Sequence, residues 1–305
     1  MMFAQFLELI RTERGLTQQE MVDLLSESEA DFSKLDLTTF SRWERGVTSP
    51  KFSKQLLVAR IMGEDVMQII DPGIKTKEKN KRHFQKMTNR ILYPYSTTPN
   101  RIFHYYHGSL VEQHRLCKQL STFHRDYMGT TFNAEVLQRN NLVLNSFFDS
   151  SGSLVGHLLY GFVPLNQQAP SVDLNDLSKC TFIDSEKSPK QDVDMYIIST
   201  FASLPAPRMV SCLMILDIAC QNTQIKHLIL NCHDQEAYII FESNCECEYL
   251  SKGNEIPFGG VQVFGKQYQY VQIRIKIESI LSIPTIRTLL PFTSEYIQRL
   301  LETSE

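Results

Sequence analysis

The sequence predicts a two-part chain, an all-α bundle of short helices followed by an α/β unit on a mixed central sheet. Three observations carry this reading. Apolar residues recur at helical spacing in the first part, and strand-like runs exchange with helical patterns from residue 102 to 278. Between them, Asp71-Pro72-Gly73, Tyr93-Pro94-Tyr95 and Thr98-Pro99-Asn100 break regular structure. With 305 residues, 42% of them hydrophobic, the chain is long enough for two cores. The expected boundaries are 1–72 for the helical unit, 73–100 for a linker, and 101–305 for the α/β unit.

In the first part, Phe3, Phe6, Leu7 and Ile10 share one face of a helix that ends at Arg14, where Gly15 supplies the stop. Thr17 and Glu20 have the spacing of a capping box, and Met21, Leu24 and Leu25 form the buried stripe of the helix they open. Asp36 caps a third helix, Leu37 to Arg45. It turns Phe40, Trp43 and the Glu44 stem inward and leaves Leu37, Thr38, Ser41 and Arg42 outward. Short polar side chains and an arginine on one short helix are what reading a DNA major groove requires.

The stretches Arg11–Glu20 (RTERGLTQQE) and Thr39–Gly46 (TFSRWERG), with Pro50 after them, resemble the lambda-repressor-like (Xre) helix-turn-helix family over residues 3–70. The resemblance implies that Gln18 grips a phosphate, that Leu37, Thr38 and Arg42 lie against base edges, and that Arg45 and Lys51 hold the backbone. Thr39 and Ser41 complete the DNA-facing set. It also implies a partly buried Arg11–Glu44 ion pair that orients the reading helix. One departure stands out: residues 26–35 (SESEADFSKL) are longer than the family's usual connection, which leaves the angle of that helix open.

The formal net charge is −3, yet it is unevenly spread. Residues 1–90 hold 15 Lys and Arg against 13 Asp and Glu, and the remainder holds 16 against 21. Within 75–90, seven bases face only Glu78, a segment suited either to running along phosphates or to being a solvated helix. The sequence lacks a run of about 20 apolar residues and a signal-peptide pattern, so a cytoplasmic protein without membrane contact is expected. Seven cysteines read as reduced thiols. Cys245 and Cys247, near Cys232 and His233, have poor spacing for zinc and read as alternating strand residues; no metal is expected.

In the second part the patterns give strands at Ile102–His107, Leu142–Phe148, Leu154–Val163, Val193–Phe201, Lys226–Asn231 and Tyr268–Ile277. Helices are expected at Leu110–Tyr127, Asn133–Arg139, Arg208–Gln221, Gln235–Ser243 and Ser294–Leu301. This order, with the stretches 144–164, 193–219 and 226–246, is similar to the GNAT acyltransferase superfamily. The resemblance implies a small-residue loop that cradles the pyrophosphate of acyl-coenzyme A and a tyrosine that protonates the leaving thiolate. Here the loop positions fall on Arg208, Ser211 and Leu213, with Pro205 and Pro207 nearby, and the tyrosine position holds Phe241. Tyr238 lies on another face of that helix. Asp192 and Asp194 at a strand start read as solvated ends.

The expectation is therefore a sequence-specific transcription regulator that binds double-stranded DNA as a homodimer. Its GNAT-like part senses a ligand or assembles the dimer, without catalytic residues or cofactor. A cleft between the central strands leaves room for a small-molecule effector. Met195, Phe201, Met209 and Met214 lie near it and read mainly as core. The alternative is an active N-acetyltransferase fused to a DNA-binding domain.

Overall fold

A computed structural model describes residues 2–70, 103–109, 114–131, 141–165, 173–174, 176–184 and 191–302. The basic segment 75–90, the linker 73–100 and the helix expected at Asn133–Arg139 lie outside these residues. The first part is helical: α1 (Phe3–Glu13), α2 (Gln18–Ser28), α3 (Leu37–Glu44), α4 (Phe52–Ile61) and the single turn α5 (Met67–Ile70). The capping box forms as its spacing demands, with the Glu20 amide donating to Thr17 Oγ1 at 3.2 Å and the Thr17 amide to the Glu20 carboxylate at 2.7 Å. Phe6, Leu7, Met21, Leu25 and Phe40 are wholly buried between the helices.

The second part is a seven-stranded mixed sheet. Its strands are β1 (His104–Ser109), β2 (Leu142–Phe148), β3 (Leu154–Pro164), β4 (Val193–Ala202), β5 (Ile225–Cys232), β6 (Cys247–Lys252) and β9 (Val271–Lys276), in the order β1-β2-β3-β4-β5-β9-β6. A separate hairpin pairs β7 (Val261–Val263) with β8 (Lys266–Tyr268). Neighbours in the large sheet are antiparallel except β4 and β5, which are parallel. The crossover between those two is α7 (Pro205–Gln221); α6 (His114–Thr122) runs into a π-helical stretch, Phe123–Met128, on the opposite face. Alternation along the strands divides the core accordingly. Leu144, Leu159, Tyr196 and Ile198 pack toward α6, whereas Leu158, Met195 and Ile197 pack toward the α7 side. Of the methionines near the cleft, Met195 is core, and Met209 and Met214 pack against a third cluster beneath the C-terminal helix. Helix α8 (Gln235–Asn244) follows β5; α9 (Ile277–Ser282), α10 (Pro284–Leu289) and α11 (Thr293–Glu302) end the chain.

Several expectations are corrected. The strand at Tyr268–Ile277 is two elements, because Gln269 and Tyr270 separate β8 from β9 and Ile277 already begins α9. Cys245 is the C-cap of α8 rather than a strand residue, and Cys247 opens β6. Asp194 is not a solvated end. The register sets it beside His227, and it pairs with His227 Nδ1 at 2.8 Å and Arg274 Nη2 at 2.8 Å while only 2% exposed.

The two parts share one core. A continuous cluster of buried side chains runs from Phe3 and Leu57 in the helices to Ile277 and Leu281 in α9. At its centre the Arg60 guanidinium donates to the carbonyls of Ala219 (3.0 Å), Asn222 (3.0 Å), Thr223 (3.1 Å) and Ile225, closing the C-terminal end of α7. Its Nε lies 2.7 Å from Glu278. The Arg287 guanidinium sits 4.7 Å from the Phe52 ring centre, a further cation–π contact between the parts. Among the described residues, no helix is long and apolar enough to cross a membrane.

Candidate nucleic-acid interface

Helix α3 is fixed at both ends. The Thr39 amide donates to Asp36 Oδ1 at 2.6 Å, which holds the Asp36 carboxyl below its ordinary pKa and satisfies one of the unpaired amides of the first turn. At the other end Glu44, 9% exposed, lies 2.6 Å from Arg11 Nε through one oxygen, and its other oxygen accepts from Gln18 Nε2. Arg11 Nη1 also donates to the Leu16 carbonyl at 3.0 Å. The expected Arg11–Glu44 pair is thus present, and it ties α3 to the connection between α1 and α2. Phe40 (0% exposed) and Trp43 (8%) anchor the inner face.

Leu37, Thr38 and Arg42 are exposed on the outer face, and Thr39 and Ser41 are half-buried at its edges. Arg45 is exposed, with Nε donating to the Ser41 carbonyl at 3.2 Å, and exposed Lys51 is the N-cap of α4. Gln18 has an intramolecular partner besides its expected role. Its side-chain nitrogen bonds Glu44, whose second buried oxygen needs a donor, so only one amide hydrogen is left for a phosphate.

The long connection after α2, whose effect on α3 the sequence leaves open, is an ordered plug. Residues Ala30–Phe32 make one 3-10 turn, Phe32 is 1% exposed, and its carbonyl accepts from Ser26 Oγ at 3.1 Å. Lys54 Nζ donates to the Asp31 carbonyl at 2.9 Å, and the Asp31 carboxylate pairs with Lys276 of β9. The insertion therefore sets the start of α3 against both α4 and the sheet.

In the α/β part, β4 and β5 pair only as far as Ile197↔Leu230. Beyond that point β4 stays with β3 and β5 with β9, and Asn231 Nδ2 spans the opening to the Ile198 carbonyl at 3.2 Å. The α6 side of this divergence is polar and buried. His124 Nε2 and His157 Nε2 converge on Ser199 Oγ at 2.9 and 3.0 Å. Ser146 Oγ and His233 Nε2 are buried without a hydrogen-bond partner among the described residues. Burial lowers all three histidines, to about 3 for His124, where the neighbouring His157 and His233 add to it, and to about 4 for His157 and for His233. These rings are neutral when folded and take up protons on unfolding below their ordinary value of 6.5. Their contribution to stability is complete above that value and is lost as pH falls toward the folded values, by about 1.4 kcal/mol per pH unit for each fully buried ring. Urea midpoints should fall between pH 7.5 and 5, and His124→Asn should flatten the dependence; midpoints independent of both would contradict it.

The loop expected to carry Arg208, Ser211 and Leu213 is helix, because α7 begins at Pro205. Pro205 and Pro207 supply no amide hydrogens, and Ala206 between them is 2% exposed. Ser211 Oγ donates back to the Pro207 carbonyl at 3.0 Å, Leu213 is 1% exposed, and Arg208 Nη2 donates to the Ala202 carbonyl at 3.0 Å. Such an N-terminus cannot encircle a pyrophosphate with backbone amides. Phe241 and Tyr238 are both half-buried on α8 and pack against the same core cluster, so Tyr238 shares the face of Phe241 instead of lying on another one as expected. Among the described residues, no three His, Cys, Asp or Glu side chains gather as metal ligands. No protein-family model matches the chain, and no curated protein matches it significantly.

Proposed function

We propose that the protein is a sequence-specific DNA-binding transcription regulator of the lambda-repressor-like kind. Helix α3 enters the major groove of double-stranded DNA, and a homodimer sets two such helices about one helical turn apart. The observation that carries this reading is the outer face of α3, where Leu37, Thr38 and Arg42 stand exposed on a helix immobilised by Asp36, Glu44 and Trp43. Arg42 reads a guanine edge, Leu37 meets a thymine methyl, and Arg45 and Lys51 hold phosphates. The α/β part acts as a GNAT-like, non-catalytic platform for ligand sensing or dimerisation. The amide-poor start of α7 and Phe241 at the acid's position support the loss of acyl transfer. The unpartnered Nε2 of His233, just past the end of β5 where it has parted from β4, supports a sensing role.

Selection of bound sites from random DNA with the full chain tests this. An enriched palindrome is expected; equal, salt-suppressed binding to all sequences overturns it. Lys51→Ala should weaken all sequences alike and lower the slope of log affinity against log salt by about 1, measured by anisotropy at several ionic strengths.

A further inference from the structure

A second surface lies on the α/β part, at α8 and the neighbouring hairpin. Helix α8 buries none of its residues, and Ile239 and Ile240 are 46% and 55% exposed. The hairpin is joined to it by the Gln262 amide, which donates to Gln235 Oε1 at 2.6 Å. Two phenylalanines belong to this region of the chain: Phe258, three residues before the hairpin, is 81% exposed, and Phe264, at its tip, 85%.

Phe264 is the more telling of the two. Val263 pairs with Lys266, so Phe264 and Gly265 form a two-residue turn, with φ of 51° and 77°. A turn with positive φ at both positions favours Asn-Gly, and a bulky residue there is strained. Neither turn geometry nor burial accounts for a phenylalanine; its ring meets only the edge of the patch, with its centroid 5.9 Å from that of Tyr249. Strain retained at an exposed aromatic marks a surface kept for contact.

Charge decides what makes that contact. Between Lys226 and Lys252 the chain carries five acids and no Lys or Arg. Glu248 meets Arg274 at 3.3 Å, but Glu236, Glu242 and Glu246 make no ion pair among the described residues. Of the nearby lysines, Lys266 on the hairpin pairs with Glu255 at 2.7 Å, whereas Lys252 at the end of β6 donates to the neutral Tyr268 hydroxyl at 2.8 Å and keeps its charge. The α8 part of the surface, where Ile239 and Ile240 lie between Glu236 and Glu242, disfavours nucleic acid and anionic lipid and suits a basic partner.

We propose that α8 and the Phe264 hairpin form a docking surface for a basic amphipathic segment of another protein. Its apolar side chains cover Ile239, Ile240, Phe258 and Phe264, and its lysines or arginines meet the α8 acids. The C-terminal end of the surface, at Asn244 and Glu246, borders a cavity that Lys51 and Lys54 at the start of α4 also line.

The test is anisotropy of a labelled amphipathic peptide of leucine and lysine titrated with the full chain, beside a counterpart with glutamate replacing every lysine. The leucine–lysine peptide should bind, and Phe264→Asn should weaken it by about tenfold or more. Because asparagine suits the turn, that variant should melt no lower than the parent, which separates contact from folding. Glu236→Lys with Glu242→Lys should weaken binding as well. Failure of the leucine–lysine peptide to bind, equal binding of the glutamate peptide, or undiminished binding by Phe264→Asn overturns the proposal. So does self-association in sedimentation that Phe264→Asn abolishes, since the occupant is then a second copy.

Discussion

Arg60→Met is expected to destabilise the folded chain by about 3–5 kcal/mol, the range found when one partner of a buried ion pair is removed. The substitution leaves Glu278 charged and 5% exposed, and deprives the carbonyls of Ala219, Asn222, Thr223 and Ile225 of their common donor. Burial already holds the Glu278 carboxyl above its ordinary pKa even beside Arg60, so without the guanidinium its protonated form gains further. Urea unfolding should show a lower midpoint, and less so as the pH falls and Glu278 protonates. Arg60→Met with Glu278→Leu should recover part of the loss, because an apolar pair is often no worse than a buried ionic one. A single variant as stable as the parent would mean that the clamp does not hold the two parts together.

Arg42→Ala is expected to cost about 1–3 kcal/mol of DNA affinity, a 5–150-fold loss, and to relax preference at one base pair. The stability of the chain should be unchanged, since the Arg42 side chain is exposed. The signature that separates reading from positioning is sequence dependence. Arg42→Ala should flatten the energetic difference between the selected site and one altered at the guanine, whereas Lys51→Ala should shift both alike. Full affinity and selectivity in Arg42→Ala would place base readout elsewhere.

Much of the helical part was legible because its signals are local. The Thr17–Glu20 box, the Asp36 cap and the Phe40–Trp43 face each depend on residues within one turn, and the structure has all of them. The Arg11–Glu44 pair came only through the family resemblance. The Gln18 tether was missed, since its partner is 26 residues away and a surface glutamine carries no sign of its orientation. In the α/β part, strands β2 to β5 were found within one or two residues, as their apolar runs and turn residues announce them. Cys247–Lys252 and the β7–β8 hairpin were not assigned. The first mixes cysteines with glutamates, which suggested a metal question, and the second has only three residues per strand. The burial of Asp194 was illegible for a different reason: it depends on which strands become neighbours, and the alternation of a single strand cannot specify that.

The plug at Phe32 and the clamp at Arg60 bear on modularity. A small helical unit whose core is wholly its own is a bead on a string, exchangeable between bodies. Here the ion pair from Asp31 to Lys276 and the four carbonyls around Arg60 make the body part of the head's own foundation. Residues 1–70 alone would expose the Arg60 guanidinium and one wall of α4 to water. Under the proposed function, the spacing between two such heads on DNA follows from the shape of the body rather than from the length of a tether.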